Sequence, residues 1–211
     1  MKSYELLLEA NKEWAKQQAL DDPTFFKKMA EGQNPEFLWI GCADSRAPAD
    51  KITQTNPGQI FVHRNVANLV IDTDINMLSV LQYAVEVLKV KHVMVVGHYG
   101  CGGVKAALGK DDMGIINKWV RHIKDVYQLY EKDLKDLDED TKFKKLCELN
   151  VVEQVKNLIK TSIIQKSWKN SEAPHIHGWI LELSTGHINQ LIEVEAGDYS
   201  HTPPIYQYDI K

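Results

Sequence analysis

Three largely apolar runs of strand length, with a helical pattern between two of them, most constrain how this chain can fold. The runs cover residues 37–41, 60–64 and 92–97, and strands buried on both faces have this composition. Between the second and third runs, apolar residues recur with a helical period at Ile75, Leu78, Leu81, Val85 and Leu88. The alternation predicts an α/β fold around a mostly parallel sheet with right-handed crossovers, flanked by helices.

The length of 211 residues favours one domain with a substantial core. We expect one domain over residues 1–211, made of an N-terminal helical arm at 1–36, an α/β core at 37–195 and a C-terminal tail at 196–211. Apolar residues form a helical stripe in the arm: Leu6, Leu7, Trp14, Ala15 and Leu20. Further on, we expect a long helix ending near Ser167 and a hairpin of 176–183 with 187–194.

Charge, hydropathy and cysteine content exclude several classes of function. The formal charge of −4 and the isoelectric point near 6.1 give no basic footprint for nucleic acid. No apolar stretch reaches the roughly 20 residues of a membrane span, and the N-terminus does not read as a signal peptide. Three cysteines do not suggest a disulfide framework. We therefore expect a protein of the reducing cytoplasm that binds neither nucleic acid nor membrane.

Metal-ligating side chains follow two of the predicted strands. Cys42 comes at the end of the first run, His98 follows the third, and Cys101 lies three residues beyond His98 across Gly100. Ligands of parallel sheets gather at the carboxyl ends of the strands, so these side chains should meet. Two thiolates and one imidazole form a zinc set with one open position, as a catalytic zinc requires.

Asp44 and Arg46 place a carboxylate and a guanidinium close to that open position. The planar guanidinium suits bidentate pairing with a carboxylate. Paired with Arg46, Asp44 can orient a zinc-bound solvent molecule, and released from it, Asp44 could become a fourth ligand in a closed state. The whole constellation predicts an enzyme that activates water.

The remaining cysteine and two histidines have weaker signals. Cys147 shares a helical stripe with apolar neighbours and should be plain core. His175 and His177 lie two apart in a predicted strand and face the same side, so they could bind metal. No third ligand is evident for them in the sequence, which favours a polar strand-face pair or an interface role.

Several motifs resemble those of the β-class carbonic anhydrases. Cys-Ala-Asp-Ser-Arg at 42–46 occurs with His-x-x-Cys-Gly-Gly at 98–103, and the runs 37–41, 61–68 and 176–179 are similar to the bacterial branch. The likeness extends over most of residues 1–195. It implies zinc-dependent reversible hydration of carbon dioxide to bicarbonate and a proton, on a four- or five-stranded, mainly parallel sheet.

The resemblance also implies roles for residues. Cys42, His98 and Cys101 would hold zinc, zinc hydroxide would be the nucleophile, and Asp44 and Arg46 would be the dyad that orients or gates it. The substrate is uncharged, so we expect an apolar pocket with walls at Phe61, Val66 and Tyr83, with a backbone group from Gly103, and with Tyr83 able to reach a partner's site. Members pair through N-terminal helices, which predicts a homodimer or a dimer of dimers.

Some bacterial members bind regulatory bicarbonate in a non-catalytic pocket made by a tryptophan, an arginine and a tyrosine. Trp39 and Arg64 match the first two positions, but the tyrosine position holds Leu181. The missing hydroxyl removes one hydrogen-bond donor, so we predict that bicarbonate regulation is weakened or absent.

Three alternatives stay open from the sequence. The zinc site could be non-catalytic, with Asp44 as a permanent fourth ligand. The same scaffold could hydrolyse carbon disulfide or carbonyl sulfide. A nucleotide-binding module is the weakest alternative, because the chain has neither a phosphate-loop spacing nor a Gly-x-Gly-x-x-Gly run.

Overall fold

The computed structural model describes residues 2–210 and divides the chain into two compact units, Met1–Asn34 and Pro35–Lys211. The first unit holds helices α1, Ser3–Asp21, and α2, Phe25–Ala30. Trp14, Phe25 and Phe26 join the two helices by edge-to-face ring contacts. No residue of α1 is buried. Of the side chains predicted to form a stripe, Ala15 is half-buried, and the others are exposed: Leu6, Leu7, Trp14 and Leu20.

The second unit is built on one five-stranded sheet in the order β2-β1-β3-β4-β5. Its strands are β1 Phe37–Cys42, β2 Ile60–Asn65, β3 His92–His98, β4 His175–Leu181 and β5 Ile188–Val194. The pairs β1–β2, β1–β3 and β3–β4 are parallel, and β4–β5 is antiparallel. This confirms the predicted α/β fold with a mostly parallel sheet.

Seven α-helices accompany the sheet within the described residues of this unit. They are α3 Ala49–Thr53, α4 Ile75–Gln82, α5 Gly102–Leu108, α6 Ile116–Leu129, α7 Glu131–Leu134, α8 Glu139–Ile159 and α9 Ser162–Asn170. Asp74 caps α4 and Asp138 caps α8, because each side chain accepts hydrogen bonds from free N–H groups of the first turn. Across residues 2–210, no helix combines the length and the apolar character that crossing a membrane requires.

The prediction of one long helix ending near Ser167 is wrong. α8 ends at Ile159, and a separate α9 begins at Ser162. Thr161 lies between them with extended backbone, at φ −74° and ψ 144°, and its hydroxyl accepts from the N–H of Ile164. Thr161 is therefore the N-cap of a second helix. The apolar periodicity continues across this break, so it predicted a single helix.

Helix α8 packs against the sheet at two glycines. A Cβ on Gly97 of β3 would stand 2.5 Å from Cγ2 of Val151, and one on Gly178 of β4 would stand 3.0 Å from Cγ2 of Val155. Only glycine allows this approach, which brings α8 close to the carboxyl end of β3. Cys147, also on α8, is buried among apolar side chains, as predicted.

Candidate active site and metal centre

The structure brings Cys42, His98 and Cys101 together. Cys42 ends β1 and His98 ends β3, and these strands are parallel neighbours, so both side chains emerge at the same edge of the sheet. Cys101 precedes α5 directly. The two sulfurs are 3.9 Å apart, and one ligand atom from each of the three buried residues lies within 4.8 Å of the others.

The His98 ring is oriented as a ligand. Its Nδ1 donates to the backbone carbonyl of Tyr99 over 2.9 Å, which leaves the lone pair on Nε2. Within the described chain, Nε2 is buried and has no hydrogen-bond partner, and a buried polar atom of this kind needs an explanation. Two sulfurs and one imidazole nitrogen are a zinc donor set, so the residues present fit this metal.

The two sulfurs differ in their surroundings. The two sulfurs are in hydrogen-bond contact with each other, and this contact lowers the pKa of Cys42. The same contact, followed by burial, raises the pKa of Cys101. The N–H of Ala67 also donates to Sγ of Cys42, over 3.4 Å. These contacts favour the thiolate form of Cys42, which is the form that binds metal.

Asp44 and Arg46 form a bidentate ion pair beside the three ligands. Arg46 donates from Nε to Oδ1 over 2.9 Å and from Nη2 to Oδ2 over 2.7 Å. These hydrogen bonds hold the pKa of Asp44 well below its usual range, so the group is a carboxylate. Its Oδ2 lies 3.7 Å from Nε2 of His98. The carboxylate thus borders the space that the three ligands enclose.

The predicted regulatory residues lie close to the same loop. Arg64 on β2 donates from Nε to the carbonyl of Cys42 over 2.9 Å and from Nη2 to the carbonyl of Asp44. Trp39 is buried and meets Trp179 edge-on, at 6.4 Å between ring centroids. Leu181 is buried and pairs with His98 across β3 and β4. Arg64 therefore fixes the backbone from Cys42 to Asp44. Its role in a bicarbonate pocket stays a prediction.

The four predicted substrate-contacting residues separate into two pairs. Val66 and Gly103 adjoin each other next to Ala67, since a Cβ on Gly103 would stand 2.9 Å from Cγ1 of Val66. Phe61 and Tyr83 instead pack their rings on one another at 5.8 Å. Val66 adjoins Ala67, whose N–H contacts the Cys42 sulfur, and Gly103 lies two residues after Cys101. The substrate-contacting role of all four residues, and the reach of Tyr83 into a partner's site, stay predictions.

Several residues that support the site gave no signal in the sequence. Ala67 and Asn68 have φ values of +65° and +50°, a conformation that alanine rarely adopts. On α8, Nδ2 of Asn150 donates to the carbonyl of Ala67 over 3.0 Å, and Oε1 of Gln154 accepts from the N–H of Val70 over 2.8 Å. These side-chain amides hold the backbone around Ala67, whose N–H donates to the Cys42 sulfur.

Comparison with known proteins identifies related chains. The family model described as "Carbonic anhydrase" matches residues 37–188. A curated carbonic anhydrase from Emericella nidulans is 46% identical over 190 residues, which cover 90% of this chain and 83% of the relative.

Two solved structures share the fold over nearly the whole chain. One is from a report of two tetrameric β-carbonic anhydrases of Sordaria macrospora, with a TM-score of 0.87, 37% identity and coverage of 91% of this chain and 98% of that one. The other is the Coccomyxa β-carbonic anhydrase in complex with acetazolamide, with a TM-score of 0.88, 38% identity and coverage of 92% and 89%. The Emericella and Sordaria relatives are fungal, so the predicted bacterial branch has no support.

Proposed function

The chain belongs to the β-class carbonic anhydrases, and on that premise we propose how its residues carry out the zinc-dependent, reversible hydration of carbon dioxide. Cys42, His98 and Cys101 hold the zinc. When bound, the metal supplies a Lewis acid that makes a water molecule nucleophilic near neutral pH. The observation that carries the proposal is the set of three buried ligand atoms with a fourth side bordered by the Asp44 carboxylate.

Asp44 orients the attacking water. As a carboxylate it only accepts hydrogen bonds, and Arg46 already takes three of its acceptor directions, with the backbone N–H and Nε on Oδ1 and with Nη2 on Oδ2. The remaining direction, on Oδ2, can accept from a water molecule next to Nε2 of His98. Fixing that hydrogen bond aims the oxygen lone pair of the water at the carbon of the substrate.

Arg46 sets where Asp44 points. Its side chain is 61% exposed, so it can leave the carboxylate without breaking the core. We propose that the paired state is the active one and that release of Asp44 toward the zinc ligands gives a closed state. The apolar side chain of Val66 and the backbone of Gly103 form the wall nearest the metal ligands on which uncharged carbon dioxide rests.

Stopped-flow hydration assays and zinc stoichiometry test this assignment together. Asp44→Asn should keep one zinc per chain and lose activity by about a hundredfold, the scale of a positioned proton-handling group. Cys42→Ala should lose the zinc, whereas Cys147→Ala should keep both zinc and activity. Asp50→Asn, an exposed acid on α3, serves as the control for Asp44. Loss of zinc in Asp44→Asn would instead make Asp44 a permanent ligand.

The rival proposal of a non-catalytic zinc protein rests on that permanent ligation. The pairing of both Asp44 oxygens with Arg46 disfavours it, because it gives the carboxylate a charged partner other than the metal. A substrate panel with carbon disulfide and carbonyl sulfide decides the remaining alternative.

We also propose that bicarbonate regulation is weak. Leu181 supplies no hydroxyl, and Arg64 already donates to the carbonyls of Cys42 and Asp44. Added bicarbonate should therefore change the hydration rate only through product inhibition, and a cooperative loss of activity would contradict this.

The assembly and location are proposals as well. We propose a homo-oligomer, which the tetrameric Sordaria relative supports. A cytoplasmic location is supported by three free cysteines, two of which are metal ligands that must stay reduced. A fluorescent fusion concentrated in an oxidising compartment would contradict it.

A further inference from the structure

A cavity of about 540 Å³ lies in the second unit between α4, α6, α9 and the C-terminal tail. Its volume falls within the roughly 300–1,000 Å³ of small-molecule sites. Apolar side chains from the three helices form part of its wall, among them Met77, Val126 and Ile163. The three zinc ligands and the two members of the dyad do not line it, so the cavity is separate from the zinc centre.

The C-terminal tail forms another part of the wall, with the side chains of Tyr206 and Tyr208. Gln165, which is buried on α9, holds the backbone of both residues. Its Nε2 donates to the carbonyl of Tyr206 and its Oε1 accepts from the N–H of Tyr208, each over 2.9 Å. Nζ of Lys160 also lies 5.0 Å from the centre of the Tyr206 ring, within the range of a cation–π contact. The tail therefore brings two aromatic rings to the cavity.

Glu153 of α8 gives the cavity a charged group with a free acceptor. The residue is 7% exposed and lines the cavity. Tyr130 and Lys156 both donate to Oε1, over 2.6 and 2.7 Å, whereas Oε2 has no hydrogen-bond donor within residues 2–210. A carboxylate oxygen removed from bulk water costs free energy unless it is bonded, so a donor inside the cavity would be stabilised there.

The other charged groups at the cavity favour a cationic donor. Asp72 and Asp125 are exposed acids that line it together with Glu153. Against these three carboxylates stand one ammonium, from Lys160, and one imidazole, from His122. The first turn of α9 also borders the cavity, but the N-terminus of a helix carries only roughly half a positive charge. Carboxylates are therefore in excess.

We propose that this cavity binds a small organic cation, with an amine head on Oε2 of Glu153 and an apolar body against the helices and the two tail tyrosines. A hydrogen bond from an ammonium to a carboxylate is about twice as strong as one between neutral groups, and the apolar wall suits the rest of such a ligand. A bound ligand touches both α8 and the tail, so occupation should fasten the tail to the core. The proposal uses no residue of the hydration mechanism.

Calorimetric titration of the zinc-loaded protein with benzylamine tests the proposal. We expect one benzylamine per chain and a rise in the unfolding temperature. Benzoate, which has a similar shape and the opposite charge, should bind at least tenfold more weakly. Because amines can also bind zinc, the hydration rate is measured with benzylamine present and should stay unchanged. Inhibition of hydration would place the amine at the zinc centre and overturn the proposal.

Glu153→Gln should weaken benzylamine binding at least tenfold. The variant keeps an acceptor for Tyr130, and the Lys156 side chain is 27% exposed and can reach water, so we expect it to fold. Glu148→Gln is the matched control, because Glu148 lies on the same helix and likewise bonds to a tyrosine and a lysine, but does not line the cavity. It should leave benzylamine binding unchanged.

Ser162→Phe tests the same site without removing a charge. Ser162 is exposed at the start of α9 and lines the cavity, so the ring can fill part of the space while the core stays intact. The variant should lose benzylamine binding and keep wild-type hydration activity, which separates this test from the proposed mechanism at Asp44. Absence of benzylamine binding in the wild type, equal affinity for benzoate, or unchanged affinity in Glu153→Gln and Ser162→Phe would overturn the proposal.

Discussion

Ala67 acts on the zinc site through its backbone alone. Its N–H donates to the Cys42 sulfur, its φ of +65° aims that N–H, and its Cβ lies 3.0 Å from where a Cβ of Gly103 would stand. A residue without a reactive group thus stabilises the thiolate. Because Ala67 packs against Gly103, substitution of Gly103 should affect the zinc site, whereas substitution of the neighbouring Gly102 should not.

Gly103→Ala should lower zinc affinity and activity, whereas Gly102→Ala should lower neither. A Cβ on Gly103 has to displace Val66 or Ala67, while a Cβ on Gly102 meets nothing within 4 Å. Alanine is also the better helix former by about 1 kcal/mol, so Gly102→Ala should stabilise the protein slightly. Zinc competition with a chelator and stopped-flow hydration measure both effects, and equal behaviour of the two variants would refute the argument.

Helix α8 is the element that holds the irregular segment after β2 in place. Asn150, Gln154 and Asn157 follow one another along the helix, and their amides bond to the backbone of Ala67 and Val70. The segment lacks regular secondary-structure partners for these groups, and burial would otherwise leave them unsatisfied. Helix α8 also bonds to the loop after β3, since the hydroxyl of Tyr99 donates to Glu148 over 2.7 Å.

Asn150→Ala should cost about 1–3 kcal/mol in the free energy of unfolding, because it leaves the buried carbonyl of Ala67 without a donor. It should also weaken zinc binding, since Ala67 carries the N–H that contacts Cys42. Asn157→Ala is the matched control on the same helix, bonding instead to the carbonyl of Val70. Urea denaturation should show a loss for both variants, and the chelator assay should show a loss only for Asn150→Ala.

Over the whole molecule, the features that could be predicted from the sequence are those set by local patterns of residues. Apolar runs located β1, β2 and β3, and parallel topology then placed Cys42 and His98 at one edge. The roles of Arg64 and Asn150 were not predictable, because each acts through a hydrogen bond to a backbone carbonyl 22 or 83 residues away. The packing of His92 on His175 and His177 was not predictable either, since only the strand register brings His92 to them.

Helix α1 offers an exposed apolar surface for the proposed assembly. Helix α1 buries none of its residues, and Leu6 and Leu7 are 55% and 72% exposed. Exposed apolar side chains in such a cluster mark an interaction surface, and a partner copy is the occupant that the proposed homo-oligomer supplies. The double variant Leu6→Glu with Leu7→Glu would bury two carboxylates at that contact and should therefore weaken the assembly. Light scattering after size exclusion should then give a lower molar mass than for the wild type. Lys16→Glu changes charge at an exposed position of the same helix and should keep the wild-type mass, so an unchanged mass in the leucine variant would place the contact elsewhere.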